Sequence, residues 1–356
     1  MDYLVKKNVI KKQKVIIDIG HKYIKILGVR YEKGHIALND SCKLDSDPFF
    51  FEGELENIKE LSCNIQRILT GRRELRNCEI SLSVPSSMVF HKIVAIKNVN
   101  PKDLDKYIKK EHMTLNRINH LTHNMDWTYL GQREVNGETI RYCLISAINK
   151  ASITSVLFEF EKRNLKVTGI SFPTYNLISL SDLYANDYEH LNRMLIDFGV
   201  SSTRVVVQSE GVTVYSREIG IGFNTFIDGL SKKFTNVGTS DIISLLTKMG
   251  LKKNNEHDKD AFFEVVDKIV ENFQNELIRI IQMCESDGFN ITKIICASAI
   301  LDGLLTFFED NGIKVDIFDL AGQKSVNGSG YVLTLNNTDI DVTYGNSIGL
   351  CVNTLL

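Results

Sequence analysis

Apolar and polar positions alternate with a period of two along Lys14–Leu38, "KVIIDIGHKYIKILGVRYEKGHIAL". That pattern predicts three short strands, with turns at Asp18–Lys22 and at Glu32–Gly34. The next segment, "ELENIKELSCNIQRIL", changes period: Leu55, Ile58, Leu61, Ile65, Ile68 and Leu69 fall on one face of a helix. A strand, "EISLSVP", leads into a mixed segment running from about Ser81 to Gly169. It reads as strand "VFHKIVAI", helix "PKDLDKYIKKEHM", strand "MDWTYLGQREV", strand "ETIRYCLISAI" and helix "SITSVLFEFEKRN". The Asn136–Gly137 dipeptide between two alternating runs is a strong hairpin signal. After the connecting stretch "SFPTYNLISL" comes a second strand–turn–strand, "LIDFGVSSTRVVVQSEG". The chain continues with a helix, "FNTFIDGLSKKF", a polar loop, and a long helix over 261–284. Phe262, Val266, Ile269, Phe273, Leu277, Ile280 and Cys284 keep the helical period there, which reads as core packing. "ITKIICASAILDGLLTFFEDNGIKVDIFDL" reads as strand, small-residue turn, helix and strand, and "YGNSIGLCVNTLL" as a short closing helix.

One pattern occurs twice. Asp18-Ile19-Gly20 parallels Asp197-Phe198-Gly199, a basic residue stands seven positions after each Asp (Lys25 and Arg204), and a turn glycine follows in each copy (Gly34 and Gly211). Turn chemistry alone accounts for Gly, Ser and Asp at a hairpin tip. Two matching tips in two halves of a chain predict duplicated domains facing one cleft. Composition adds limits. At 356 residues the chain can hold two or more domains with sizeable cores. A formal net charge of −2 gives no general attraction to nucleic acid, so no nucleic-acid partner is expected. No apolar run is long enough to span a bilayer, and "MDYLVKKNVIKKQK" lacks the apolar core of a secretory signal, so a cytosolic protein is expected. The seven cysteines are dispersed without a Cys-x-x-Cys and read as free thiols. "HLTH", with His120 and His123, has a spacing that suits a metal but no further ligand pair nearby, and reads as a polar face.

These residues resemble the actin-like ATPase superfamily, and within it the PilM family of type IV pilus assembly proteins. "IIDIGHKYIK" is similar to the first phosphate loop, "LIDFGVSSTRVVV" to the second, "IICASAILDGLLTFFEDNGIKVDIFDL" to the adenosine loop, and "YGNSIGL" to the terminal connecting helix. "SLSVPSSMVFHKIVAI" resembles the start of the small α/β insert shared with the division protein FtsA, and "VLFEFEKRNLKVTGISF" the stretch that leaves it. The resemblance implies an α/β, actin-like (ribonuclease H-like) two-domain fold. Domain I would comprise 1–80, 170–192 and 343–356, the insert 81–169, and domain II 193–342.

It also implies a cleft for ATP or ADP with Mg²⁺. Asp18 and Asp197 would hold the metal, Gly20 and Gly199 would let the backbone approach, and Ser201, Ser202 and Thr203 would supply hydroxyls. Lys22 and Lys25 would balance phosphate charge, and Ala297 and Ser298 would lie beside the nucleoside. Three departures argue for weak or absent hydrolysis. His21, Lys22 and Tyr23 stand where small or hydroxyl residues are usual, and Ala297-Ser298-Ala299 replaces a glycine pair. The connecting stretch has no Glu or Gln to position water, Asn176 being the nearest polar residue. In the PilM family the cytoplasmic N-terminal peptide of the membrane protein PilN lies between the first subdomain and the insert. Carried over, that groove is expected at Tyr23, Ile26, Arg30, Val89, His91 and Ile93. The reading is a cytoplasmic scaffold recruited to the inner face of the membrane through its partner. The pilus assembly ATPase, the platform protein and self-association stay open as further contacts. The alternative is an FtsA-like filament protein tethered to the membrane; a sugar-kinase reading lacks a catalytic Asp and a sugar pocket.

Overall fold

A computed structural model describes residues 12–32, 34–112, 118–181, 192–251, 260–298, 300–318, 325–328, 331–335, 340 and 342–355. The first three strands, β1 (Lys12–Ile19), β2 (Tyr23–Glu32) and β3 (His35–Asp45), form an antiparallel meander, as the period-two pattern predicts. A two-residue ribbon, β4 (Phe50–Phe51) with β5 (Glu54–Leu55), precedes helix Ile58–Gly71. β6 (Glu79–Ser83) then joins β1 in parallel. An antiparallel sheet of order β7-β9-β8 follows, built from β7 (Val89–Lys97), β8 (His123–Val135) and β9 (Glu138–Asn149). β10 (Val167–Ser171) returns to the first sheet beside β6.

The second half repeats the first. β11 (Arg193–Phe198), β12 (Thr203–Ser209) and β13 (Val212–Ile219) form a meander, and β14 (Lys293–Cys296) and β15 (Lys314–Ile317) add in parallel to β11. The order β13-β12-β11-β14-β15 matches β3-β2-β1-β6-β10 strand for strand and sense for sense. The repeat of Asp-x-Gly along the chain is therefore a repeat of whole sheets. β16 (Ser325–Gly328) and β17 (Tyr331–Leu335) widen the first sheet to seven strands, β17 lying parallel to β3. The sequence division placed these residues in domain II. It also began the insert at residue 81, whereas Ser81–Ser83 pair with β1 and β10 pairs with β6 in the first sheet.

Each sheet has its own apolar core. Val15, Ile17, Leu27 and Leu82 pack with helix Ile58–Gly71 and the closing helix Gly345–Leu355 in the first. Met194, Ile196, Phe226, Phe273 and Leu277 fill the second, under helices Phe223–Lys233 and Asp260–Ser286. A small third core, with Val94, Ile96, Leu104 and Cys143, lies on the insert sheet. Helix Thr239–Met249 was not read from sequence: among its described side chains only Ile242 and Leu246 are deeply buried, too few to stand out as a stripe. The closing helix packs backbone to backbone on helix Pro173–Leu180, because Gly349 carries no side chain. All seven cysteines are free, and burial pushes the Cys143 thiol up to about 11 and that of Cys284 to about 12. Among the described residues no helix is long and apolar enough to cross a membrane, and no cluster of His, Cys, Asp and Glu is suited to a metal ion.

Candidate functional site

The two hairpin tips are built alike. Gly20 N–H donates to the Tyr23 carbonyl at 3.2 Å, and Gly199 N–H to the Ser202 carbonyl at 3.0 Å. A Cβ on Gly20 would meet the Tyr23 oxygen at 2.9 Å, and one on Gly199 the Ser202 oxygen at 2.7 Å, so each turn closes only over glycine. The antiparallel register then sets Lys25 opposite Asp18 and Arg204 opposite Asp197. Both pairs are joined, Lys25 Nζ to Asp18 at 3.5 Å and Arg204 Nη1 to Asp197 at 2.9 Å. The tips face each other across a cleft of about 280 Å³. His21 Nε2 lies 3.2 Å from the Gly53 carbonyl, which can only accept, so Nε2 carries the proton. Neutral Nδ1 then accepts from the Ser201 hydroxyl at 3.3 Å, a bridge from one tip to the other.

Of the residues expected here, Asp18, Gly20, Lys22, Lys25, Asp197, Gly199, Ser201 and Ser298 do line the cleft. Lys22, however, turns toward Asp47 and Asp45, at 3.2 and 3.4 Å. Ser298 is occupied as a brace, its hydroxyl accepting from Phe198 N–H at 2.6 Å and lying 3.2 Å from the Phe198 carbonyl. Three expected residues stand outside. Ser202 donates to Glu218, Thr203 is fully buried and donates to the Ile221 carbonyl at 2.6 Å, and Ala297 lies under the closing helix against Gly345. Ala299 falls outside the described residues. Asn176 is no candidate for positioning water, being buried with its amide held by Ser83 Oγ at 3.0 Å and Ser171 Oγ at 2.6 Å. Among the described residues lining the cleft there is neither Glu nor Gln.

Sequence reasoning missed Asn346, Ser347 and Glu218. Asn346 Nδ2 donates to Asp18 Oδ1 at 2.5 Å, and Ser347 Oγ to Oδ2 at 3.4 Å. Glu218 lies opposite Arg204 in the β12–β13 hairpin, where a bulge after Val207 shifts the register by one; counting outward from the Gly211 turn would have paired Arg204 with Arg217 instead. Around it Arg204 Nη2 donates to Ser86 Oγ at 3.1 Å, and Ser86 Oγ donates to Glu218 at 3.2 Å. Ser86 opens the insert, so the wall of the cleft is bonded directly to the insert. A second tie lies further out, where Arg133 of β8 reaches Glu210 at 3.7 Å and stacks 5.0 Å from the Phe289 ring centre.

Burial lowers the pKa of His21, partly offset by the Gly53 carbonyl, and lowers that of His91, partly offset by the Val89 carbonyl. A histidine held neutral when folded takes up its proton more readily when unfolded. Stability is therefore complete above the ordinary histidine value of about 6.5 and declines as pH falls through it. The melting temperature is expected to drop between pH 7.5 and pH 5.5. His91→Gln, which keeps an acceptor for Thr174, should lose part of that drop; an undiminished drop would exclude His91 as a cause.

A second concavity, of about 370 Å³, runs between the first sheet and the insert. Thr128 of β8, Leu144, Ser146 and Ile148 of β9, Leu157 of helix Lys150–Glu161, Ile170 of β10, and Tyr175 line it. Of the six residues expected for a peptide groove, only Val89 belongs to it. β2 lies three strands inside the first sheet, whose edge toward the insert is β10. Ile26 is accordingly core at 1% exposure, Arg30 is an exposed residue beside Glu32 at 3.9 Å, and Tyr23 lines the hairpin cleft instead. On β7, His91 is held by the Thr174 hydroxyl at 2.9 Å and the Phe172 ring at 5.2 Å, and Ile93 packs against the first core.

Comparison with solved structures places this architecture. A PilM–PilN type IV pilus biogenesis complex superposes at a TM-score of 0.74 with 12% identity, covering 97% of this chain and 98% of the other. More distant are MreB 5 of Spiroplasma citri bound to AMPPNP (TM-score 0.48, 12% identity, 86% and 91% covered) and EutJ from Carboxydothermus hydrogenoformans (0.46, 10%, 88% and 88%). The duplicated sheets with an inserted third are the actin-like fold. No curated protein matches the chain in sequence. The family described as Type IV pilus assembly protein PilM matches residues 16–320, and the chain belongs to that family.

Proposed function

We propose that this chain is a cytoplasmic scaffold of type IV pilus assembly that captures, in the groove beside β10, the cytoplasmic N-terminal peptide of a PilN-like membrane protein. The carrying observation is the groove itself. β10 is an edge strand of the first sheet and β8 an edge strand of the insert, and apolar Leu144, Ile148, Leu157, Ile170 and Tyr175 lie between them. An open strand edge offers unpaired backbone groups to an extended peptide, and the apolar floor selects its side chains. The solved PilM–PilN complex supports this choice of occupant. Binding recruits the chain to the inner face of the membrane. The test is titration of the full chain against a labelled synthetic peptide from the cytoplasmic N-terminus of a PilN-like protein. Saturable binding with a dissociation constant of roughly micromolar order is expected. No change in polarisation at a hundredfold higher concentration would sink the reading.

The hairpin cleft supports a nucleotide site, with ATP or ADP as its occupant. Tight glycine turns bring backbone close, and Lys25 and Arg204 stand at the strand ends below the tips. The phosphates would meet the two tips and the sugar and base the side of Ser298, Ile300 and Leu301. A bound nucleotide supplies charged oxygens that both tips can bond at once. With Asn176 buried and no Glu or Gln in the described lining, this chain's residues hold the nucleotide rather than direct water at it. Sheet membership supports a division into a first domain of 12–83, 167–181 and 325–355, an insert between 84 and 166, and a second domain of 193–318.

A further inference from the structure

We infer that the cleft binds the phosphates of its nucleotide without a divalent cation, Lys25 and Arg204 standing where magnesium would otherwise supply positive charge. This rests on the nucleotide reading above and specifies its chemistry. The carboxylates do not fit the metal. Mg²⁺ demands near-octahedral oxygen ligands and keeps several of its waters, which must in turn find acceptors. Asp18 is 2% exposed and already receives Asn346, Ser347 and Lys25. Its oxygens are shared among three donors, and none is open to a hydrated ion. Asp197 is bonded to Arg204, whose guanidinium does not deprotonate in proteins and repels a second cation at any accessible pH.

The same residues fit an anion. Two basic side chains, Lys25 and Arg204, meet the two acidic ones that line the cleft, Asp18 and Asp197, while Lys22 is engaged by Asp45 and Asp47 and His21 is neutral. Each cleft carboxylate is thus met by a cation of the fold itself, with no metal needed to balance it. Arg204 lines the cleft beside Asp197, and its guanidinium stays charged at any accessible pH, so it attracts phosphate through its charge. The site thus carries its counter-charges within the fold.

Calorimetric titration of the full chain with ADP decides the point, once in excess free Mg²⁺ and once in EDTA. The wild type is expected to bind with affinities within about threefold in the two conditions. Arg204→Thr, with folding checked by its melting curve, should lose at least tenfold in EDTA and regain part of the loss with Mg²⁺, because Asp197 is then released. Arg204→Lys, which keeps the charge, should retain metal-free binding within a few-fold and guards against reading a folding defect as a binding one. Tenfold weaker binding of the wild type in EDTA would overturn the inference and leave the nucleotide site standing, as would an Arg204→Thr variant that binds metal-free ADP like wild type. Silence in both conditions at millimolar ADP would overturn the nucleotide reading and this inference together.

Discussion

Ile170→Asp is expected to raise the dissociation constant for a PilN-like peptide a hundredfold or more while leaving the melting temperature of the chain nearly unchanged. Ile170 sits on edge strand β10, 43% exposed, and lines the groove. Folding does not depend on burying it, so a polar replacement costs the free protein little. A peptide lying over β10 must cover this position. The wild type gains roughly 25 cal/mol for each Å² of apolar surface removed from water there. The variant instead encloses a carboxylate among Leu144, Leu157 and Tyr175, which costs several kcal/mol unless a partner charge meets it. Together these amount to about 3 kcal/mol or more, or two orders of magnitude in affinity. Ile170→Val, which keeps the surface apolar, should change binding less than about threefold. Arg30→Ala, outside the groove, should leave it unaltered. Equal affinities for wild type and Ile170→Asp would remove the peptide from this groove.

Gly349→Ala is expected to destabilise the first sheet and its helices by about 3 kcal/mol or more, with a melting midpoint lowered by roughly 10 °C. Helix propensity alone predicts the reverse, since alanine is better than glycine inside a helix by about 1 kcal/mol. Here the added Cβ would lie 2.0 Å from the Asn176 carbonyl oxygen, far inside contact distance. The obstacle is backbone, and that backbone belongs to a helix whose Asn176 side chain is locked by Ser83 and Ser171. Neither helix can yield without uncovering Ile348, Leu350 and Cys351, all fully buried. Gly71→Ala is the matching control: a Cβ there meets nothing within 4 Å, so only the propensity gain remains. A Gly349→Ala chain that melts with the wild type would show that the two helices are not packed on their backbones.

The duplicated hairpins were legible because a short antiparallel turn makes position and partner interchangeable. A basic residue seven places after an Asp becomes the residue directly opposite it, as Lys25 and Arg204 both do. Local patterning likewise located β8 and β9 through the Asn136–Gly137 turn. What stayed hidden depended on which strand lies beside which. The hairpin of β16 and β17 reads the same whether it joins one sheet or the other, and long-range pairing with β3 decides it. The expected groove residues lie apart for the same reason: only the order β10-β6-β1-β2 reveals that β10, not β2, is the edge of the first sheet. Asn176 looked available because hydrophobic context does not disclose that a polar side chain is already satisfied by distant serines.

The placement of β17 beside β3 bears on how the chain comes to be folded. The second sheet is assembled from one uninterrupted run of sequence, from β11 to β15. The first sheet joins strands from either side of that run, and its closing helix is made after the second sheet is complete. During synthesis the second sheet is complete while β3 still lacks its outer neighbour and helix Pro173–Leu180 lacks the helix that covers it. Contacts between sequence-distant strands form slowly, and unpaired edges invite association in the interval. Of the two sheets, the one whose strands emerge first is therefore the one completed second, and β3 is the edge exposed in the meantime.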